Sequence, residues 1–256
     1  MVFFLLWAPM YFLNAQSFKG IPFKLRNVVK NSISLKNPLL IGEYFMGAPY
    51  LAYRLSKSNP EKLYFSFNDF DCVTYLENVL ALYYSDGSNI KFRENLINIR
   101  YIDSVSYETR NHYLTSGLEK LVKLKFLLPI NNELNSHYIQ KNINFLSTHV
   151  NNKYMDNSKL VKIEKSISQK YIYYFDSIHQ PEIDNLIKNG DVIAFLSSRN
   201  DLDFNHVGFV YIKNNKKYIL HASQEKKIVC ISELTIDKYI LKNKKIIGFQ
   251  IYRPNI

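Results

Sequence analysis

From Val73 onward, the apolar residues Val73, Leu76, Val79, Leu80 and Tyr83 recur at helical spacing until Ser85-Asp86-Gly87 closes the run. Asp71 stands just before them, where a carboxylate caps free backbone N–H groups, so the pattern predicts a helix with Cys72 in its first turn. Residues 112–126 and 156–169 show the same period without internal proline. After Gly190 the pattern changes to short runs of β-branched and aromatic residues bounded by Asn, Gly, Ser or Lys: 191–197, 206–213, 217–223, 227–232 and 247–253. These read as an antiparallel meander. Helices first and a sheet later predict an α+β fold rather than alternating βαβ units.

The 256 residues show no repeat, low-complexity linker or composition break, and one continuous domain over 17–256 is the expectation. Lys and Arg number 33 against 22 Asp and Glu, a formal charge of +11. Such an excess suits an anionic partner. Here it is spread as lysines among asparagines and isoleucines, the vocabulary of an AT-rich genome, and no zinc-type cysteine spacing, arginine-rich arm or RNP-like motif points to nucleic acid. Residues 1–16 hold an apolar block, Val2 to Leu13, of signal-peptide length, with Ala15 placed as a cleavage-site residue. The block lacks a preceding Lys or Arg, so an N-terminal core helix or uncleaved anchor is the alternative to export. No later stretch has the length and apolarity of a transmembrane helix.

Cys72, at a helix start, is placed where backbone N–H groups and the helix dipole lower a thiol's pKa and make it a nucleophile. The plain alternative is a small buried hydrophobe, the usual state of a free cysteine. Cys230, mid-strand in KIVCIS, fits that alternative. Of the histidines 112, 137, 149, 179, 206 and 221, only His206 and His221 lie on predicted core strands. A two-residue turn at Asn214-Asn215 sets His206 opposite Ser223 and His221 opposite Gly208, which puts both imidazoles on one face as diagonal neighbours. A three-residue loop would reverse that parity. A thiol hydrolase needs a base for the cysteine proton and a third polar group to orient the base, places that Cys72, His206 and His221 fill in that order. Two histidines also suit a metal, but no HExxH or CxxC string supplies further ligands, and neither metal nor cofactor is expected.

FDCVTYLENVLAL, GDVIAF, NHVGFVYI and LHAS, in that order, resemble the NlpC-type papain-like cell-wall hydrolases, with D-C at a helix start, G-D before a strand, H-[AV]-G, and a third polar residue on the next strand. Four further strings resemble one branch, the bacterial N-acetylmuramoyl-L-alanine amidase-like family: FMGAPYLAYRL (45–55), RYIDSVSYETRNHY (100–113), NFLSTHVNNKY (144–154) and the closing IGFQIYR. The resemblance covers nearly the whole chain from about residue 40. It departs from the family at Thr74-Tyr75, where Thr-Phe is usual, and in the nearly charge-free N-terminal block.

The resemblance implies a papain-like core, a nucleophile helix packed on an antiparallel sheet, with additional helices before and within it. It implies Cys72 as nucleophile, His206 as general base and acid, His221 as the orienting member, and Tyr50 as a hydroxyl over the nucleophile that helps hold the oxyanion. Arg110, His112 and Tyr113 match a branch-specific pattern implied to shape the substrate pocket; an interior hydrogen-bonding cluster is the competing reading. The implied substrates are peptidoglycan fragments, muropeptides with a 1,6-anhydro sugar, cut between the lactyl group and L-alanine by a monomeric, exported, periplasmic enzyme. A γ-D-glutamyl peptidase with the same triad, and a non-catalytic binder of anionic polymers, are the two alternatives.

Overall fold

The computed structural model describes residues 20–53, 55, 60–132, 135–149, 156–178 and 181–255. The expected export signal at 1–16, His179 and the end of the 144–154 string lie outside them.

Two helices, α1 (Phe23–Ser34) and α2 (Leu39–Tyr44), precede the cysteine helix α3 (Cys72–Tyr83). Then come α4 (Asn89–Arg100), α5 (Leu114–Lys123), and the short strands β1 (Leu127–Pro129) and β2 (His137–Ile139). The chain continues through α6 (Phe145–His149), α7 (Asn157–Ser168), β3 (Ile172–Tyr174) and α8 (Pro181–Leu186). It ends with β4 (Val192–Ser197), β5 (Phe204–Lys213), β6 (Lys216–Ser223), β7 (Ile228–Ile231), α9 (Ile236–Lys242) and β8 (Ile246–Pro254). The predicted helices at 112–126 and 156–169 shorten to α5 and α7.

The main sheet has six antiparallel strands in the order β1-β8-β4-β5-β6-β7. The meander therefore holds for β4 to β7 and fails for the last strand. β7 and β8 are joined by residues 232–245, which carry α9 and are too long for a tight turn, so β8 crosses back to pair with β4. A second, two-stranded sheet pairs β2 with β3.

Both faces of the main sheet are covered, which is why the run in β4 is buried at every position. Val192, Ala194 and Leu196 join Val207, Phe209 and Leu220 against α3. Ile193 and Phe195 join Val210, Ile219 and Phe249 on the opposite face, under Ile183 of α8 and Ile236 of α9. α3 is itself buried from Thr74 to Tyr83, between the sheet and helices α1, α2 and α4. A helix apolar all round belongs to such a middle layer.

Two polar residues survive in that layer because they pair. Glu77 of α3 accepts a hydrogen bond from Arg100 Nε at 2.8 Å and forms an ion pair with Nη2 at 2.8 Å, and Arg100 is completely buried. Arg100 also donates to the Tyr64 carbonyl, and the pair holds Arg100 in its charged form. Removing one partner strands a buried charge, so Glu77→Ala is expected to cost about 3–5 kcal/mol. The Glu77→Leu/Arg100→Leu double variant should recover much of that loss. Denaturant midpoints of the three proteins check both expectations.

Candidate active site

Asp71 caps α3 through a reciprocal box: its carboxylate accepts the Thr74 N–H at 2.8 Å, while the Thr74 hydroxyl accepts the Asp71 N–H at 2.9 Å. This fixes Cys72 as the first helical residue, half-buried, at the end of a rigid rod. The segment before it is tied down as well. Tyr50 bridges in parallel to Phe70, its N–H donates to the Lys227 carbonyl at 2.8 Å, and Pro49 bridges to Ile228 on β7. Burial, then Cys72 and Asp71, push the Tyr50 pKa upward.

The β5–β6 hairpin turns on Asn214 and Asn215, both at positive φ, 51° and 58°, as a two-residue hairpin turn requires. Its register runs from Lys213↔Lys216 to Phe209↔Leu220, the register expected from the sequence. His206 and His221 accordingly share a face and touch, with Nε2 of His206 at 2.5 Å from Nδ1 of His221. Gly208 lies opposite His221, where an added Cβ would stand 2.9 Å from the histidine Cβ.

The histidines face the α9 side of the sheet while Cys72 comes from the α3 side. The Val210 N–H donates to Asp191 on the β4 side, so by alternation the Val207 N–H points toward β6. The β5–β6 ladder ends at Phe209↔Leu220, two residues short of Val207. The Val207 backbone N–H is one of the groups that pull the Cys72 pKa down. α3 packs against β5 and β6, the strands that carry His206 and His221.

The electrostatics correct one expectation. Burial, followed by the Asp71 charge, pushes the Cys72 thiol up to about 12, against the pull of the Val207, Cys72 and Val73 N–H groups. The helix-start effect is present and is outweighed, so the sulfur rests as a neutral thiol. Burial and the charge of His221 hold His206 well below its ordinary value, and burial lowers His221 to about 4. The resting trio is uncharged.

His112 is also lowered to about 4, by burial and then by Arg110. For these histidines the folded-state pKa lies below the unfolded value near 6.5, so as pH falls the unfolded chain takes up protons first. Their contribution to stability is complete above about pH 6.5 and is lost as pH drops toward 4. At about 1.4 kcal/mol per unit, His112 and His221 each account for at most about 3 kcal/mol. The denaturant midpoint is expected to fall steeply between pH 6.5 and 4.5, and a pH-independent midpoint there would contradict the assignment.

The branch-specific residues divide. Arg110 lies over the Tyr107 ring at 4.5 Å, donates to the Leu55 carbonyl at 2.7 Å and pairs with Glu61 at 3.2 Å. His112 packs on Tyr107 at 4.6 Å, and its Nε2 meets the Tyr107 carbonyl at 2.7 Å. Tyr113 is not brought to the thiol. It is only 4% exposed, donates to Glu164 at 2.6 Å, accepts the Leu146 N–H at 3.0 Å, and packs in a separate cluster with Ile143 and Ile167. Interior hydrogen bonding describes it better than pocket lining, because its hydroxyl is already engaged as both donor and acceptor.

Sequence reasoning missed two neighbours of the histidines. Cys230 stands directly across from His221 on β7. Tyr239 of α9 contacts both imidazoles; its signal was the i, i+3, i+4 spacing of Ile236, Tyr239 and Ile240. Among the described residues no three His, Cys, Asp or Glu side chains gather as a metal set, and no helix is long and apolar enough to cross a membrane.

Solved structures share the architecture, and two of them are named as amidases. One N-acetylmuramoyl-L-alanine amidase structure from Bacteroides uniformis ATCC 8492 superposes with a TM-score of 0.78 at 27% identity, covering 90% of this chain and 99% of that one. A second, from the same organism and with the same name, reaches 0.77 at 30% identity, covering 83% and 96%. A Bacteroides fragilis protein with a provisional xylanase name also gives 0.77, at 26% identity, covering 83% and 98%. No curated protein matches the chain. The sequence matches the AmiA-like model, described as N-acetylmuramoyl-L-alanine amidase-like, over residues 40–249, and the chain belongs to that family.

Proposed function

We propose that the protein is a cysteine amidase with an NlpC-type papain-like core, which cleaves the amide between the lactyl group of N-acetylmuramic acid and L-alanine in peptidoglycan fragments. The observation that supports the reading is the linked His206–His221 pair on strands against which the capped Cys72 helix packs. That arrangement supplies a nucleophile, a base and an orienting group in sequence.

In this mechanism His206 donates Nε2–H to Nδ1 of His221, which leaves its own Nδ1 as acceptor for the cysteine proton. Because the thiol is neutral at rest, proton transfer accompanies attack: sulfur bonds to the lactyl carbonyl carbon as His206 takes the proton. The Cys72 N–H and the Tyr50 hydroxyl stabilise the oxyanion. His206 then protonates the alanine nitrogen as the C–N bond breaks, leaving a thioester. Water attacks the thioester with His206 as base, releasing the sugar acid and the thiol. Arg110 and His112, both against Tyr107, are the proposed peptide-side residues. A glycosidase would need two free carboxylates flanking the bond; Asp71, the carboxylate beside the thiol, is engaged as the helix cap.

Muropeptides with a 1,6-anhydro sugar are the proposed substrates, in wall turnover, and the apolar block Val2 to Leu13 supports export to the periplasm. Mass analysis of products from an anhydro-muropeptide tests the bond. Free peptide beginning at L-alanine is the expected product. Fragments that leave L-alanine on the sugar would replace the amidase with a γ-D-glutamyl peptidase, and salt-sensitive binding without products would leave a binding module.

A further inference from the structure

His206 has unusual neighbours for a base on a strand. On its own face the next residue along β5 is Gly208, which offers no side chain to brace it. What braces it comes from elsewhere. Phe195 of β4 stacks on one side, with centroids 6.2 Å apart and planes at 15°. Tyr239 of α9 lies 6.5 Å away at 35° and meets the His221 ring edge-on, 6.1 Å away at 88°. Tyr239 also packs on Phe195 at 5.2 Å, so the two aromatics enclose the imidazole pair. A short helix delivers this ring, and Ile236, completely buried, anchors the helix.

Beside the ring is a cavity of about 190 Å³, whose wall includes His221, Ser223, Cys230 and Tyr239. A water occupies about 30 Å³ of liquid, so the cavity has room for solvent next to the pair. Tyr239 lines that space beside His221, on the α9 side of the pair. The ionisable groups around it are Cys72 from α3, Cys230 from β7, Lys242 from α9 and Glu225 in the β6–β7 turn, with Lys226 and Glu233 ion-paired at 2.6 Å beyond.

We propose that Tyr239 is a positioning residue: its ring clamps the His206–His221 pair against Phe195 and keeps solvent from the hydrogen bond between them. The tyrosine hydroxyl is not needed for this, since the contacts are made by the ring. The catalytic consequence rests on the cysteine amidase reading; the clamp does not.

The test compares Tyr239→Leu with Tyr239→Phe by nitrogen NMR of the imidazoles across a pH series, with turnover measured on the same samples. The Phe variant should keep wild-type titration and a single tautomer. In the Leu variant the protonation midpoint of the pair should rise by about one unit or more as water enters, with tautomers averaging. Turnover should fall at least about tenfold with KM within about twofold, as expected when the base is misplaced rather than the substrate lost. Should the Leu variant not fold, Tyr239→Met, an unbranched replacement, carries the same expectations. A folded ring-deletion variant with wild-type titration overturns the clamp. A wild type without turnover, alongside the expected NMR shift, would count against the amidase reading and leave the clamp standing.

Discussion

Cys72→Ala is expected to lower turnover of a muropeptide by at least about 10,000-fold while the melting temperature stays close to wild type, a change within about 1 kcal/mol. The two halves follow from different features. Asp71 and Thr74 build the helix start between themselves and do not use the sulfur, so the cap survives its loss. Cys72 is half-buried at the edge of the core, so its removal leaves little cavity. Catalysis has no substitute nucleophile, since Cys230 lies beyond His221 on β7. Cys72→Ser should be nearly as inactive, because the proton must leave a group that starts neutral and a hydroxyl gives it up less readily than a thiol. A Cys72→Ala protein retaining a tenth of wild-type turnover would remove the thiol from the mechanism.

Gly208→Ala is the second large effect, expected without touching any proposed catalytic group. The new Cβ would stand 2.8 Å from Ile219 Cγ2, 2.9 Å from His221 Cβ and 3.0 Å from the Leu220 carbonyl oxygen. Two of these are a β-carbon and a backbone atom of the paired strand, which cannot swing aside. β6 must shift and take His221 with it, which lengthens the bond to His206. Displacements of about 1 Å cost on the order of 100-fold in rate, and the crowding itself costs about 1–3 kcal/mol. Turnover measured beside a denaturation curve separates the two. A Gly208→Ala enzyme that loses stability but keeps its rate would show that the His206–His221 contact is dispensable.

The sequence was most legible where local rules govern. The helix cap needs only Asp71 just before the helix, and the parity of the histidine pair needs only a two-residue turn at Asn214-Asn215; both appear in the structure. Wherever the outcome depends on layers meeting, the sequence was silent or misleading. The last strand reads like the next rung of a meander, but α9 intervenes and β8 pairs with β4. Tyr113, in a string that resembles a pocket, is consumed by Glu164 and Leu146. The thiol at a helix start suggested a lowered pKa, yet burial against β5 outweighs the backbone N–H groups. The end of the β5–β6 ladder at Phe209↔Leu220, two residues short of Val207, has no sequence signature at all.

The most direct measurement is the intact mass of the protein quenched within one turnover on a 1,6-anhydro-muropeptide, followed by mapping of the adduct. The account predicts a thioester on Cys72 carrying the anhydro-N-acetylmuramoyl group through its lactyl carbonyl, with the peptide from L-alanine onward already released. An adduct on another residue, or an acyl group on Cys72 that still contains L-alanine, would contradict it.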